Sequence, residues 1–500
     1  MTVNSNNSPL YAVIDLGSNS FHMLIARLVA DSVQTVDKVK RKVRLASGLN
    51  ENNQLSQEAI ARGIECLAFF AERLQDIPAS NIRIVATATL RIATNANDFL
   101  QQAEKTLNHK INLLSGHQEA EQIYLGVAHT SCSAKQRLVL DIGGASTEII
   151  VGEAFTSKKV CSLNIGCVTF KKHFFSDNKL NSANFNKAIT SAKNTLASVV
   201  DEYKNIGWQS ALSGSGTMQA LAEIQQYQHK PAIINLSFLQ QIKQQLIDCK
   251  TIDTININGL ASDRKPVFAS GIAILIALFE SLAIKQLQLS SGAIREGLLY
   301  EMLPNMRAIT IRERTIKALE ERFHIDSQHN HRVYAQAQAL YQQLAPVWQL
   351  HNDNDRQLLS ASCLLHEIGL LLEYKQHQRH GAYILSQADL AGFDQADRQL
   401  LVALVRNYKG DIEQQGLDEQ AATTAQNAYY LLAILRLAVI LCRRRGDDVL
   451  PRYQVSACNN SIELSLPKTW LEQHPLICDE LKQEQHYLQV INLSLQVNAI

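Results

Sequence analysis

The residues best placed to do chemistry lie in two copies of one short turn motif, Asp15-Leu-Gly-Ser-Asn-Ser20 and Asp141-Ile-Gly-Gly-Ala-Ser146. Each copy follows an apolar strand and precedes another, so both predict a strand, a turn and a strand. The glycines permit a sharp turn, and the small residues leave N–H and O–H groups free to face an anion. Two such turns facing each other would bind one polyphosphate chain. The predicted phosphate ligands are Asp15, Gly17, Ser18, Asn19, Ser20, Gly143, Gly144, Ala145 and Ser146.

Four acidic residues are candidates for metal binding or proton transfer. Asp15 and Asp141 end predicted strands and could bind Mg²⁺, which prefers one or two carboxylates together with phosphate oxygens. Glu119 follows Ser115-Gly116 at the start of a predicted helix, where it could take a proton from water or only complement the helix dipole. Glu148 is an alternative base or a ligand of metal-bound water; the other interpretation is a surface strand residue. For Asp15 and Asp141 the competing interpretation is that each side chain only caps its own turn, and the duplication of the motif argues against it.

Arg91 and two further glycine turns could also bind phosphate. A loop guanidinium such as that of Arg91 can hold phosphate through two hydrogen bonds, although a surface ion pair is the alternative. The turns Leu212–Thr217 and Ser290–Gly297 would place backbone N–H groups at helix starts, or serve only as turns. The candidates in the first of these turns are Ser213, Gly214, Ser215, Gly216 and Thr217.

A basic segment follows the first motif. Its pattern predicts one strand with Lys38, Lys40, Lys42 and Arg44 on a single face. That row could match a linear polyanion, or it could be a solvated edge strand whose lysines oppose aggregation. Nucleic-acid binding is not expected because no aromatic residues are interleaved for base stacking.

Composition excludes several classes of protein. The 500 residues suggest three or four domains, and the net charge of +1 means that affinity for an anion must be local. Nine cysteines without a Cys-x-x-Cys pair favour a reduced, cytoplasmic protein over a disulfide framework or a thiolate zinc site. The polar N-terminal segment predicts no signal peptide, and the longest apolar runs are short or contain Arg436, so no membrane association is expected.

The pattern of the chain changes near residue 305. Short apolar strands alternate with helical segments before this point, which is typical of an α/β fold. Helical periodicity dominates afterwards and predicts an all-α region. A final stretch beginning at Tyr453 alternates with period two and predicts a small α+β addition.

Taken together, six motifs resemble the exopolyphosphatase and guanosine pentaphosphate phosphohydrolase family nearly end to end. They are Asp15–His22, Ala86–Arg91, Ser115-Gly116 with Glu119, Asp141–Glu148, Ser213–Thr217 and Gly292–Gly297. The resemblance implies two actin-like domains of the ribonuclease H-like (ASKHA) type with the site in the cleft between them, an all-α HD-like domain and a small α+β domain. The corresponding bounds are 10–125, 126–305, 306–448 and 449–500.

The resemblance also implies an activity, which is Mg²⁺-dependent release of terminal phosphate from guanosine pentaphosphate or inorganic polyphosphate, with Mn²⁺ as a possible substitute. Glu119 matches the catalytic base, Asp141 and Glu148 match the acids that position metal and water, and Arg91 matches a phosphate-binding arginine. Arg295, within the last motif, joins the substrate-binding set, and Asp15, Asp141 and Glu148 form the expected metal set. A homodimer formed through the helical half is also implied.

Within the family, the chain resembles the pentaphosphate branch more closely. Its second turn reads Gly143-Gly-Ala-Ser146 where exopolyphosphatases usually have a third glycine, and Lys40–Leu49 also resembles that branch. The expected reaction is therefore conversion of guanosine pentaphosphate to the tetraphosphate in the stringent response, with polyphosphate as an additional substrate. Gln118 stands beside Glu119 where an acid is usual, which could alter the proton affinity of the base.

The helical half contains Leu365-His-Glu-Ile-Gly369, similar to the His-Asp pair of metal-dependent phosphohydrolases. Glu367 replaces the expected Asp, and Val439 stands where a last Asp ligand should fall, although His329 or His331 could contribute one ligand. Too few ligands remain, so the sequence predicts a structural helical domain and no second metal site.

Alternatives to the hydrolase remain open at this stage. They are an exopolyphosphatase, a kinase of the same fold, and a non-catalytic sensor that binds guanosine polyphosphate or polyphosphate. Retention of Glu119, Asp141 and Glu148 favours the hydrolase.

Overall fold

The computed structural model describes residues 8–29, 32–131, 136–228, 233–303, 310–447 and 450–500. These residues form two compact units, the first within residues 1–29 and 33–308 and the second within residues 30–32 and 309–500. The domain boundaries expected at 305/306 and 448/449 lie outside the described residues. The division expected at 125/126, inside the first unit, stays a prediction.

The first unit is built from strands and helices that alternate along the chain, as the pattern predicts. Its strands are β1 (Leu10–Leu16), β2 (Phe21–Val29), β3 (Ser32–Arg41), β4 (Ile82–Ala86), β5 (Asn112–Leu113), β6 (Arg137–Ile142), β7 (Thr147–Glu153), β8 (Thr156–Leu163), β9 (Ser210–Ser213), β10 (Ile233–Ile234) and β11 (Leu287–Leu289). Its helices are α1 (Gln57–Leu74), α2 (Ala88–Ile92), α3 (Ala96–Leu107), α4 (Gly116–Thr130), α5 (Cys167–Phe174), α6 (Ser182–Leu196), α7 (Val200–Ile206), α8 (Gly216–Tyr227), α9 (Leu236–Asp248), α10 (Lys265–Leu282) and α11 (Ile294–Met302). Short 3₁₀ helices cover Ala46–Gly48 and Ala79–Asn81.

Two mixed sheets in this unit share one strand order. The first runs β3-β2-β1-β4-β5, and the second runs β8-β7-β6-β9-β11 with β10 added at its edge. In both sheets the central strand (β1 or β6) pairs antiparallel with the strand that follows it and parallel with the strand on its other side. The two acidic motifs therefore occupy equivalent turns, β1 to β2 and β6 to β7, which confirms the predicted strand, turn and strand.

Helices α4 and α11 carry predicted site residues and pack in direct backbone contact. Gly126 of α4 and Gly297 of α11 make this possible, because a Cβ atom at either position would clash with the backbone of the other helix. The close approach fixes the N-terminal turns of both helices beside the ends of β1 and β6. Glycine is required here by packing and not by its freedom to turn.

Helix α10 is apolar on all sides. Its 18 residues are long and apolar enough to cross a membrane by length and composition, but 72% of the segment is buried inside the protein. It packs against α5, α6 and α9 and contributes Ile272, Leu275 and Phe279 to the core around the second sheet. An all-round apolar helix of this kind is typical of a domain core.

The single strand predicted for Lys38 through Arg44 is wrong. Strand β3 ends at Arg41, and Arg44 has a positive φ of 53°. The chain turns because Arg44 donates its backbone N–H to the carbonyl of Asn19 at 2.8 Å, while Val43 and Leu45 are buried in the core. Only Lys38 and Lys40 of the predicted row belong to the strand.

The second unit is mainly helical and ends in a three-stranded sheet, as the periodicity predicts. Its helices are α12 (Ile311–Arg322), α13 (Ser327–Trp348), α14 (Asp353–Leu365), α15 (His377–Gln387), α16 (Gln395–Asn407), α17 (Gln415–Glu419), α18 (Ala425–Leu441), α19 (Lys468–Gln473) and α20 (Pro475–Gln489), with a 3₁₀ helix over Ile368–Leu371. The sheet order is β12 (Gln454–Cys458), β13 (Ser461–Leu466) and β14 (Ser494–Ala499). One continuous hydrophobic core includes both the helices and the sheet.

Candidate active site

A cleft of about 640 Å³ in the first unit brings the two acidic turns together. The turns are in close contact, because a Cβ atom on Gly144 would lie 2.7 Å from the Cβ of Ser18. The predicted site residues that line this cleft are Asp15, Gly17, Ser18, Asn19, Ser20, Glu119, Asp141, Gly143, Gly144, Ser146, Gly214, Ser215, Gly216, Thr217 and Arg295.

Four predicted residues lie behind the cleft wall. Ala145 and Ser213 are buried, and the Ser213 hydroxyl donates to the Ser215 hydroxyl at 3.1 Å. Arg91 donates from Nη1 to Oε2 of Glu119 at 2.8 Å and to the carbonyl of Leu114 at 2.9 Å. Glu148 is the fourth.

Glu148 is a buried residue with only 1% of its surface exposed, so its interpretation as a surface strand residue is wrong. Oε1 of Glu148 accepts hydrogen bonds from the hydroxyls of Ser146 and Ser162, both at 2.7 Å. Glu148 pairs with Asp141 in the register of β6 and β7, which places both side chains on the same face of the sheet. The turn geometry therefore couples the two acids.

Helix α4 positions Glu119 through its N-terminal cap. The Ser115 side chain accepts from the N–H of Gln118 at 3.2 Å, and the Gln118 side chain accepts from the N–H of Ser115 at 3.0 Å. This capping box directs Gln118 away from the acids and fixes the turn that carries Glu119. The unusual Gln118 thus has a structural role at the helix start.

The carboxyl groups of the cleft hold protons more tightly than ordinary carboxyls. Burial raises the pKa of Glu119 to about 7, with Arg91 opposing the rise and the charges of Asp15 and Asp141 adding to it. Burial raises the pKa of Asp141 to about 7, and the charge of Asp15 adds to the effect while Arg295 opposes it.

The other two acids follow the same pattern. Burial raises the pKa of Asp15 to about 6 against the attraction of Arg295, whose Nη1 lies 4.0 Å from Oδ2 of Asp15. Burial, followed by the charges of Glu119 and Asp141, raises the pKa of Glu148 well above its ordinary value, despite its two serine hydrogen bonds.

This excess of buried carboxylates fits a divalent cation. With the acids ionised, the cations nearest to them are Arg91 and Arg295, which cannot neutralise four carboxylates. Mg²⁺ and Mn²⁺ bind carboxylate oxygens in preference to other donors, so the residues present match such an ion. Asp15 and Asp141 line the cleft, and Glu148 adjoins it through Ser146, which makes these three acids the ones that would hold it.

The sequence prediction missed several residues of the cleft. Arg264, at the start of α10, packs its guanidinium against Gly216, where a Cβ atom would clash with it. His22, the register partner of Asp15, lines the cleft with a pKa lowered to about 2 by burial, so its imidazole is neutral. Lys38, which the sequence prediction did include in its basic row, also lines the cleft, with Nζ 3.6 Å from Oε1 of Glu296. His22 lies inside the first motif and could have been included, whereas no pattern marks Arg264.

Two sheets with the same strand order meet at a cleft lined by glycine turns and buried acids. This arrangement defines an α/β protein with a cleft suited to binding phosphate. The chain belongs to the Ppx/GppA phosphatase family. The model of that family matches residues 24–306, and the model of Ppx/GppA phosphatase domain III matches residues 311–485.

Curated relatives cover almost the whole chain. The chain is 49% identical over 489 residues to a guanosine-5'-triphosphate,3'-diphosphate pyrophosphatase of Pseudoalteromonas translucida (strain TAC 125), covering 98% of both chains. It is 47% identical over 479 residues to the protein of the same name from Aeromonas hydrophila subsp. hydrophila, covering 96% of this chain and 97% of the relative.

Solved structures support the fold of part of the chain. An exopolyphosphatase from Cytophaga hutchinsonii ATCC 33406 superposes with a TM-score of 0.54 and 22% identity, over 60% of this chain and 99% of that one. The Aquifex aeolicus member of the Ppx/GppA family gives a TM-score of 0.51 and 22% identity, over 59% of this chain and 98% of that one.

Proposed function

We propose that this protein hydrolyses guanosine pentaphosphate to guanosine tetraphosphate and inorganic phosphate. The observation that carries the proposal is the buried carboxyl of Glu119, which has a pKa of about 7 and accepts a hydrogen bond from Arg91. It lies in a cleft lined by the two glycine-containing turns that are expected to bind phosphate. The name shared by its curated relatives specifies the nucleotide. We also propose that the first unit comprises two actin-like domains, 10–125 and 126–305, because its two sheets share one strand order. The HD-like domain at 306–448 and the α+β domain at 449–500 complete this proposed organisation.

The terminal phosphates bind at the two turns. The Ser18 hydroxyl, the Asn19 side-chain amide and backbone N–H groups of the two turns line the cleft and can donate to phosphate oxygens. Arg264 and Arg295 add positive charge at the same wall, and the N-terminal turns of α8 and α11 add N–H donors. These groups hold the terminal phosphorus in place and stabilise the charge that its oxygens carry during transfer.

Glu119 activates the attacking water. A carboxyl with a pKa near 7 is half ionised at neutral pH and is a strong enough base to receive a proton as the water attacks. The water oxygen forms the new P–O bond, the bond from phosphorus to the bridging anhydride oxygen breaks, and that oxygen leaves with guanosine tetraphosphate. Arg91 keeps one carboxylate oxygen of Glu119 fixed, so the other oxygen is available to the water.

Asp15, Asp141 and Glu148 would hold Mg²⁺, or Mn²⁺ in its place. When bound, this ion neutralises phosphate charge. The hydroxyls of Ser146 and Ser162 both donate to Oε1 of Glu148 and so orient this carboxylate for metal binding.

Inorganic polyphosphate is a second candidate substrate, and one observation favours it. Lys38 and Lys40 are exposed neighbours on β3 at the mouth of the cleft, where a long polyanion leaving the turns would pass.

We further propose that the protein is a cytoplasmic homodimer and that neither a membrane nor a nucleic acid is its partner. Light scattering after size-exclusion chromatography would test the oligomeric state.

Parallel assays of phosphate release, with Mg²⁺ and either guanosine pentaphosphate or long-chain polyphosphate, test the proposal. The wild type should turn over guanosine pentaphosphate faster, and Glu119→Gln should lose turnover by a factor of about 10² or more while still binding substrate. Glu121→Gln is the matched control, since Glu121 lies on the same helix and its side chain is 46% exposed. Faster release from polyphosphate would assign the exopolyphosphatase activity, and substrate binding without release from either would assign the sensor.

A further inference from the structure

Three buried side chains in the second unit direct potential metal ligands at one another. They are His329 near the start of α13, and His366 and Glu367 directly after α14. One ligand atom from each lies within 4.8 Å of the other two. The exposed fractions of the three residues are 3%, 0% and 8%. The sequence predicted no metal site here, because Glu367 stands where an Asp is expected and Val439 stands where a last Asp ligand should fall.

Each of the three residues has an unpartnered polar atom. Among the described residues, Nδ1 of His329, Nε2 of His366 and Oε2 of Glu367 are buried and have no hydrogen-bond partner. Buried polar atoms in proteins are nearly always hydrogen-bonded, and each one left without a partner costs on the order of 1–3 kcal/mol. Three such atoms in one cluster indicate a shared partner, and their common chemistry is that of lone-pair donors.

The surroundings prepare these atoms as ligands. Nδ1 of His366 lies 2.8 Å from the carbonyl of Cys363 and must donate to it, so Nε2 presents its lone pair. Burial lowers the pKa of His329 and of His366 to about 4, so both imidazoles are neutral at pH 7. Arg445 binds Oε1 of Glu367 and thereby orients the carboxylate with Oε2 free.

Charge and spacing are compatible with an ion. The positive charge of Arg445 opposes a cation, but this guanidinium is also paired with Asp326 at 3.2 Å, which offsets much of its field. Ligand atoms bound at about 2.0–2.2 Å to one tetrahedral ion lie roughly 3.3–3.6 Å apart. The ligand atoms of the cluster lie within 4.8 Å of one another, so side-chain rotations that bring them about 1 Å closer would place them around one centre.

We propose that the second unit contains a binding site for a divalent first-row transition metal, with His329 Nδ1, His366 Nε2 and Glu367 Oε2 as its protein ligands. Two imidazole nitrogens and one carboxylate favour Zn²⁺ over Mg²⁺, whereas the all-oxygen cleft of the first unit favours Mg²⁺. Three protein ligands leave a coordination position open. This inference does not depend on the proposed hydrolase activity.

The test uses the full-length protein stripped of metal by a chelator and titrated with ZnCl₂ in excess Mg²⁺, followed by calorimetry and metal analysis. The wild type should retain one equivalent of Zn²⁺, and His366→Gln and Glu367→Gln should each weaken binding by at least about 10-fold. His331→Gln is the matched control, because His331 is exposed on the same helix as His329 and its Nδ1 lies 2.7 Å from the carbonyl oxygen of Ser327. Asp141→Asn, which changes an acid of the cleft in the first unit, should also retain one equivalent of Zn²⁺.

Failure of the wild type to retain Zn²⁺, or equal retention by both ligand variants, would overturn the proposal. If the variants do not fold, as judged by circular dichroism, X-ray absorption of the Zn²⁺-loaded wild type decides the question. Scattering from two imidazole rings is expected, and an oxygen-only shell would reject the site.

Discussion

Replacement of Arg91 by Gln should shift the pH dependence of catalysis without removing the base. Arg91 is the cation that opposes the raised pKa of Glu119, through both a 2.8 Å hydrogen bond and its charge. Without the guanidinium, burial and the charges of Asp15 and Asp141 act on Glu119 unopposed. The pKa of Glu119 therefore rises further above about 7, and less of the base is ionised at neutral pH.

The size of the effect follows from the exposure of the pair. The side chains of Arg91 and Glu119 are 24% and 10% exposed, so solvent screens the interaction only in part. An opposite charge at this distance favours the ionised carboxylate by about 1.4–2.8 kcal/mol, which is a factor of about 10–100 in the ionised fraction. We expect kcat of Arg91→Gln to be lower by about that factor near pH 6 and to recover to within a few-fold of wild type near pH 9.

The assay is phosphate release at saturating substrate and Mg²⁺, from about pH 5.5 to about pH 9.5. Arg83→Gln serves as the control, because Arg83 bonds only the carbonyls of Ser80 and Ile82 in the described structure and lies outside the cleft lining. A loss of kcat that is the same at every pH would refute the reasoning. A change confined to KM would show that Arg91 binds phosphate and does not tune the base.

Three further outcomes are expected. Gly144→Ala should raise KM for the phosphate substrate by about 10-fold or more, since its Cβ would push the two turns apart, whereas Gly416→Ala, whose Cβ meets its nearest neighbour at an ordinary 3.5 Å, should leave kinetics unchanged. Because burial raises the pKa of Asp141 from 3.8 to about 7, the native state holds a proton that the unfolded state releases, and the free energy of unfolding falls as pH rises between these values. In urea titrations without metal, the free energy of unfolding of Asp141→Asn should match that of the wild type near pH 4 and exceed it by a few kcal/mol near pH 7. A difference that does not depend on pH would contradict this. Arg436→Met should lower the free energy of unfolding by about 3–5 kcal/mol, because it leaves the Glu484 carboxylate buried and unpaired, and a loss below 1 kcal/mol in the same titration would show that this ion pair is dispensable.

The parts of the cleft that could be predicted from sequence are those encoded by short segments. Asp15 and Asp141 each lie within a strand, a turn and a strand, where local apolar patterning and glycines determine the geometry. Glu119 could be placed at a helix start for the same reason, but its contact with Arg91 depends on how separate elements pack. Arg264 could not be found, because only the packing of α10 against the turn of Gly216 brings it to the cleft.

The basic segment shows how tertiary contacts override a local pattern. Alternating cations continue past Arg41, yet the strand stops because backbone hydrogen bonds to the first turn are available to Arg44 and Ala46. The His329, His366 and Glu367 cluster shows the reverse case. The absence of the expected Asp ligands argued against a metal site, whereas the buried atoms without partners become visible only in three dimensions.

The electrostatics of the cleft link the proposed base to its neighbours. The pKa of Glu119 is raised in part by Asp15 and Asp141, so neutralisation of these two acids by a cation lowers it and increases the ionised fraction of the base. The negative charge of a bound polyphosphate acts in the opposite direction, against both the cation and Arg91, and keeps this pKa from falling to that of an ordinary carboxyl. The metal and the substrate thus have opposing effects on the pKa of Glu119, and Glu119 is expected to be most effective as a base when both occupy the cleft. If burial alone shifted this pKa, Glu119 would titrate identically with and without the two ligands.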